Sequence, residues 1–227
     1  MAQVDLVQRY RHLRVVSSEV QTAALGQVPW TAVIEFGRRV GAVRKGELAL
    51  EWEDELKLVQ DLAIHTAKNQ RSRAIDRYAR VAPYPADSDQ AHMLKALQDA
   101  RFTIFQIKER HPVAGVMISD LFREQRFHLM DMGIAMSAGI GDLFVGRLME
   151  IDGFVMSCLS FLPLRKEQIE QVALRLPRRK SGPEFDQFQD PRCAIGIYRA
   201  AIEHGWMQLC VSLDVAGGAL TEQQEAA

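Results

Sequence analysis

The first residues whose types and spacing suggest chemistry lie in the acidic segment EWEDELKLVQDLAIH, residues 51–65. Asp61 and His65 stand four apart, so on a helix their side chains reach one point, and paired O and N ligands at that spacing are a common way to begin a metal site. Two ligands do not complete one, and no HExxH or ExxH partner occurs elsewhere. The alternative for Asp61 and His65 is an exposed polar pair on a solvated helix face. A second group gathers His111, His128, Cys158 and the aspartates Asp120, Asp131, Asp142 and Asp152 in the next region. Nucleophilic or acid–base catalysis needs a base oriented by a third group, and no GxSxG or GxCxG elbow marks a nucleophile. His111, before Pro112, reads as an exposed turn residue, and His128, between Phe127 and Leu129, as facing outward. The glycines of AGIGD (138–142) precede a strand pattern instead of opening a helix, and GAVRKGE (41–47) lacks the Walker order, so neither reads as a phosphate loop.

Two kinds of contact residue remain. Lys108, Arg110, Arg123 and Arg126 are interleaved with Phe102, Phe105 and Phe127, ingredients of a nucleic-acid surface, while acidic residues among them argue for a solvated face. Arg178, Arg179 and Lys180 form a basic loop. The GIAMSAGIG segment (133–141) is apolar for a connection, and its Ile134, Met136 and Ile140 are candidates for protein contact. Six of the nine methionines fall between residues 117 and 156, giving either a pliable surface or a methionine-rich core.

Composition narrows these choices. The chain of 227 residues has a formal net charge of −1, so no global field draws it to nucleic acid or an anionic membrane. Three widely spaced cysteines, Cys158, Cys193 and Cys210, with no CxxC, imply reduced, buried thiols in a reducing compartment. The N-terminus lacks a signal-peptide pattern, and no charge-free apolar window of about 18 residues occurs, so the expectation is a cytoplasmic protein with no membrane partner.

The elements that must position these residues follow from periodicity. Residues 4–23 carry Leu6, Val7, Tyr10, Leu13, Val16 and Val20 at helical spacing. A second helix is expected over Thr31–Val43 and a long one from Glu47 to about Arg80, broken near 69–72. A proline-bearing connector (82–90) leads to a helix over Gln90–Asp99. From Arg101 the period changes to two: FTIFQI, GVMISDL, RFHLMD, DLFVGRLM and GFVMSCLS read as five strands, with Asp152–Gly153 as a hairpin turn. Helical spacing returns over Lys166–Leu176 and Arg192–His204. The expected fold is therefore α+β: a helical region (1–100), a small antiparallel five-stranded barrel-like module (101–164), and C-terminal helices with a tail (165–227).

The run of strand patterns over 102–164, within a broader match from about residue 50, resembles a module of uncharacterised bacterial proteins in which a helical region precedes a compact β-unit. That resemblance implies the same division of the chain and carries no activity, cofactor or catalytic residue. The expectation is a non-catalytic interaction or regulatory protein that binds a protein partner or itself, with no cofactor. A nucleic-acid module using Lys108, Arg110, Arg123 and Arg126 is the alternative, and a metal enzyme at Asp61 and His65 the third reading.

Overall fold

The structure, a computed structural model, describes residues 3–67, 72–175 and 188–206. Helix α1 (Gln3–Leu25) buries Leu6, Tyr10, Leu13, Val16 and Val20 of the expected stripe and adds Ala24, while Val7 is only half-buried. Helix α2 (Trp30–Val40) ends three residues earlier than the sequence suggests, because Gly41 adopts a left-handed cap with φ 83°. There the chain turns through a small hairpin, β1 (Val43–Arg44) with β2 (Glu47–Leu48), built on positive φ at Lys45 and Gly46. Helix α3 (Glu53–His65) starts after it, and the Glu55 side chain accepts from the Glu51 backbone N–H to close the first turn. Helices α4 (Ala74–Ala79) and α5 (Asp89–Gln98) follow, with the Ser88 hydroxyl capping α5.

The five strands fall where the two-residue period places them: β3 (Arg101–Arg110), β4 (Val116–Asp120), β5 (Arg126–Leu129), β6 (Leu143–Ile151) and β7 (Phe154–Leu164). A short helix, α6 (Met132–Ser137), sits between β5 and β6 in a segment that reads as a loop. The strands close into a barrel in the order β3-β4-β5-β7-β6, with β6 pairing back onto β3. The expectation of a purely antiparallel sheet is corrected at one seam: β5 and β7 run parallel, meeting at Leu129 and Val155. Parallel pairing needs a long crossover, which α6 and β6 supply. The first four strands lie in the order β6-β3-β4-β5, a Greek key, and β7 closes it into a five-stranded Greek-key barrel of the OB type.

Three apolar clusters hold the molecule together. Inside the barrel, Phe105, Ile107, Val116, Ile118, Leu129, Phe144 and Phe161 pack under Ile134 and Ala138. Outside it, α1, α4 and α5 pack on Met149, Met156 and Cys158 from β6 and β7. Helices α2, α3 and α8 (Pro191–Glu203), with Val172 of α7 (Lys166–Arg175), pack on Phe102, Val145 and Leu162. The helices thus jacket the β6–β7 side of the barrel. No described helix is long and apolar enough to cross a membrane.

Candidate functional site

The side of the barrel away from the helices is formed by β4, β5 and the second half of β3, because Phe102 and Ile104 at the start of β3 lie under α2, α3 and α8. Residues directly opposite in an antiparallel pair share a face. Val116 with Leu129, and Ile118 with Phe127, point inward, so the intervening pairs Met117–His128 and Ser119–Arg126 point outward, and Gln106 extends the second row onto β3. A bulge between Ile107 and Glu109 then brings Glu109 beside Met117. The four cations proposed for nucleic acid all spring from this hairpin region, and most are engaged. Lys108 Nζ donates to Gln106 Oε1, and Arg110 donates to the Ala135 and Ala138 carbonyls at the end of α6. Arg126 lies 3.9 Å from Glu109, both exposed, a pairing worth little. Arg123 is half-buried in the β4–β5 turn, its backbone N–H donating to Asp120.

At one end of this face Gly115, with φ 79°, turns the chain so closely against the Leu129 carbonyl that a Cβ has no room. That turn stacks the His111 and His128 rings at 3.7 Å. The Val113 and Ala114 N–H groups donate to His111 Nδ1, and His128 Nε2 donates to the Ala114 carbonyl at 2.6 Å. Both histidines are half-buried, so the exposed reading of His111 is corrected, while the outward orientation of His128 on β5 holds. Burial lowers the His128 pKa, and neighbouring His111 adds to the shift, against the Ala114 hydrogen bond.

The apolar candidates separate. Ile134 is 6 % exposed and plugs the barrel end, so the expectation that it offers a contact surface is corrected: on α6 it shares the inward side with Ala138. Met136 and Ile140 face outward at 42 % and 68 % exposure. Ile140 is held against β3, because Gly141 N–H donates to the Ile107 carbonyl, Ile107 N–H to that of Asp142, and Gln106 Nε2 to that of Gly141. At the opposite end the β4–β5 turn exposes Leu121 and Phe122 by 43 % and 45 %. Arg178, Arg179 and Lys180 lie outside the described residues.

Asp61 and His65 are not on a solvated face. Both are buried, at 3 % and 5 % exposure, because α3 packs this side onto the barrel. Asp61 accepts from Arg147 Nε and Nη2 of β6 at 2.9 and 3.2 Å, and from the Tyr198 hydroxyl of α8 at 3.1 Å. Burial alone would raise the carboxyl pKa, and Arg147 and the Tyr198 hydrogen bond bring it below the ordinary value. Among the described residues no group of three His, Cys, Asp or Glu side chains is placed to hold a metal. Sequence reasoning missed Arg147, yet a signal exists: it is the lone charge within the apolar run LFVGRLM. Cys158 and Cys193 are buried free thiols, and burial raises the Cys158 pKa; Cys210 lies outside the described residues.

A Greek-key barrel jacketed by helices on one side, with the other side uncovered among the described residues, defines an α+β protein of barrel architecture, a class that fixes no single function. The chain belongs to a family of unknown function, DUF7986, matched over residues 4–183. No curated protein and no solved structure matches the chain.

Proposed function

We propose that this protein acts by binding a protein partner across the β3–β4–β5 face, a second copy of the chain being the first occupant to test. The observation that carries the reading is the asymmetry of the jacket: α3 and α5 pack on β7 and β6, while β4 and β5 receive no comparable helical layer among the described residues. The uncovered face is polar at its centre, with Gln106, Ser119, Glu109 and Arg126, and has exposed apolar residues at both ends. Mixed charge with apolar anchors suits protein contact more than phosphate, which calls for clustered cations. Full burial of a Met or Ile side chain is worth about 1.5–3 kcal/mol.

Size-exclusion chromatography with light scattering on the full chain tests it. The expected mass exceeds one chain, and Met136→Asp with Ile140→Asp returns it to one chain with an unchanged circular dichroism spectrum. A monomeric wild type rules out self-association. A nucleic-acid reading is favoured by one observation, that Lys108 and Arg110 of β3, Arg123 of the β4–β5 turn and Arg126 of β5 are carried by neighbouring strands of a barrel type used for oligonucleotide binding. It requires a 260 nm signal that co-elutes at low salt and disappears at high salt. Arg123→Ala with Arg126→Ala would then lower the salt slope by about one per lost phosphate contact.

A further inference from the structure

His65 is buried to 5 % exposure, and neither ring nitrogen has a hydrogen-bond partner among the described residues. Buried imidazoles are rarely left so, and an orphaned polar group calls for a ligand or water. The ring lines a cavity of about 220 Å³ between the end of α3, the start of α4, β6 and the start of α8. This volume exceeds that of a single buried water.

The wall is rich in donors. Arg147 commits Nε and Nη2 to Asp61, and Arg73 commits Nε and Nη2 to Asp76, which leaves Nη1 of each guanidinium outside those pairs. Asp61 and Asp76 orient the two arginines without lining the cavity themselves. Asp190, the carboxylate that does line it, caps α8 and takes the Arg192 guanidinium. Burial holds the His65 pKa down to about 3, with Arg147 and Arg73 lowering it further and Asp61 and Asp76 acting the other way. The imidazole is therefore neutral, with one N–H and one free lone pair, and shares the cavity wall with Arg73 and Arg147.

We propose that this cavity binds a phosphate group, as the free ion or as a phosphomonoester. A phosphate oxygen accepts from the His65 N–H and from the guanidinium edges, and arginine suits such oxyanions. Hydrogen phosphate, or the monoanion of a phosphomonoester, also carries an O–H, which donates to the remaining imidazole lone pair. Sulfate, equal in shape, has no proton to give at neutral pH.

The test is long-range ¹H–¹⁵N spectroscopy of the histidine rings in the full chain, titrated with inorganic phosphate at constant ionic strength. The His65 ring signals are expected to shift saturably at millimolar phosphate and to respond about tenfold more weakly to sulfate. Arg73→Gln, at a side chain 30 % exposed, leaves the buried Asp61–Arg147 pair untouched and is expected to weaken the response about tenfold. His65→Gln keeps a donor and an acceptor and should retain binding, read by thermal shift, whereas His65→Leu should lose it. Tighter binding of glycerol phosphate than of inorganic phosphate assigns the monoester; the reverse assigns the free ion. Unmoved ring signals, equal responses to phosphate and sulfate, or full binding by Arg73→Gln would each overturn the assignment, leaving the cavity to water. If His65→Leu fails to fold, the Arg73 variant alone decides.

Discussion

Asp61 and Arg147 are 86 residues apart in sequence and form an ion pair in which the side chains are only 4 % and 8 % exposed. Such a pair stabilises little against well-packed apolar residues, yet losing one partner leaves an uncompensated charge. Asp61→Ala is therefore expected to cost about 3–5 kcal/mol in urea denaturation, while Asp61→Leu combined with Arg147→Met should recover most of it. Equal losses in the single and double variants would show that the pair itself, and not the orphaned charge, supplies the stability. Helical spacing correctly put Asp61 and His65 side by side on α3. Their burial was not legible, because EWEDELKLVQDLAIH mixes charge and apolar residues in a way that fits either a solvated face or a face laid against a barrel.

Helix α6 shows how much a small element can depend on one cap. Its six residues are too few for intrinsic helicity to hold them. Asp131 accepts from the Ile134 N–H at 3.0 Å, the Ser157 hydroxyl approaches it at 3.4 Å, and Arg110 closes the other end on the last carbonyls. Ile134 and Ala138 can then seal the barrel. Asp131→Ala should cost about 1–2 kcal/mol, lowering the melting temperature by roughly 2–4 °C per kcal/mol in a chain of this size, whereas Asp131→Asn, which keeps an acceptor, should stay near wild type. The five strands were legible from their period, and α6 was not, since fewer than two turns give no periodic signal. The β1–β2 hairpin was lost for the same reason, with two residues on each side of Lys45–Gly46.

At the scale of the whole molecule, the sequence divisions at 100 and 164 do not divide the core. Phe102, Val145 and Leu162 of the barrel share a cluster with α2, α3 and α8, and Met149, Met156 and Cys158 share another with α1, α4 and α5. Arg9 of α1 adds a polar clamp, reaching Asp89 of α5 at 2.6 Å and Asp152 of the β6–β7 turn at 2.7 Å. Helices and barrel should therefore unfold together. Far-ultraviolet circular dichroism, which follows the helices, and hydrogen exchange at β6 amides are expected to give one denaturation midpoint. Two separated midpoints would mean that the barrel stands without its jacket.

The sequence alone determined the class and order of the longer elements, because period 3.6 and period 2 are local properties that need no partner. It determined the helix stripe of α1, the five strands and the Asp152–Gly153 turn, whose Asp152 and Gly153 do adopt positive φ at 53° and 81°. Only the tertiary structure decided the rest. The parallel β5–β7 seam, the buried partner of Asp61, the inward turn of Ile134 and the cavity at His65 each join residues distant in the chain. Such joins are selected by shape and by the cost of burying a charge or a polar atom unpaired, and that cost is written nowhere until the chain has closed on itself.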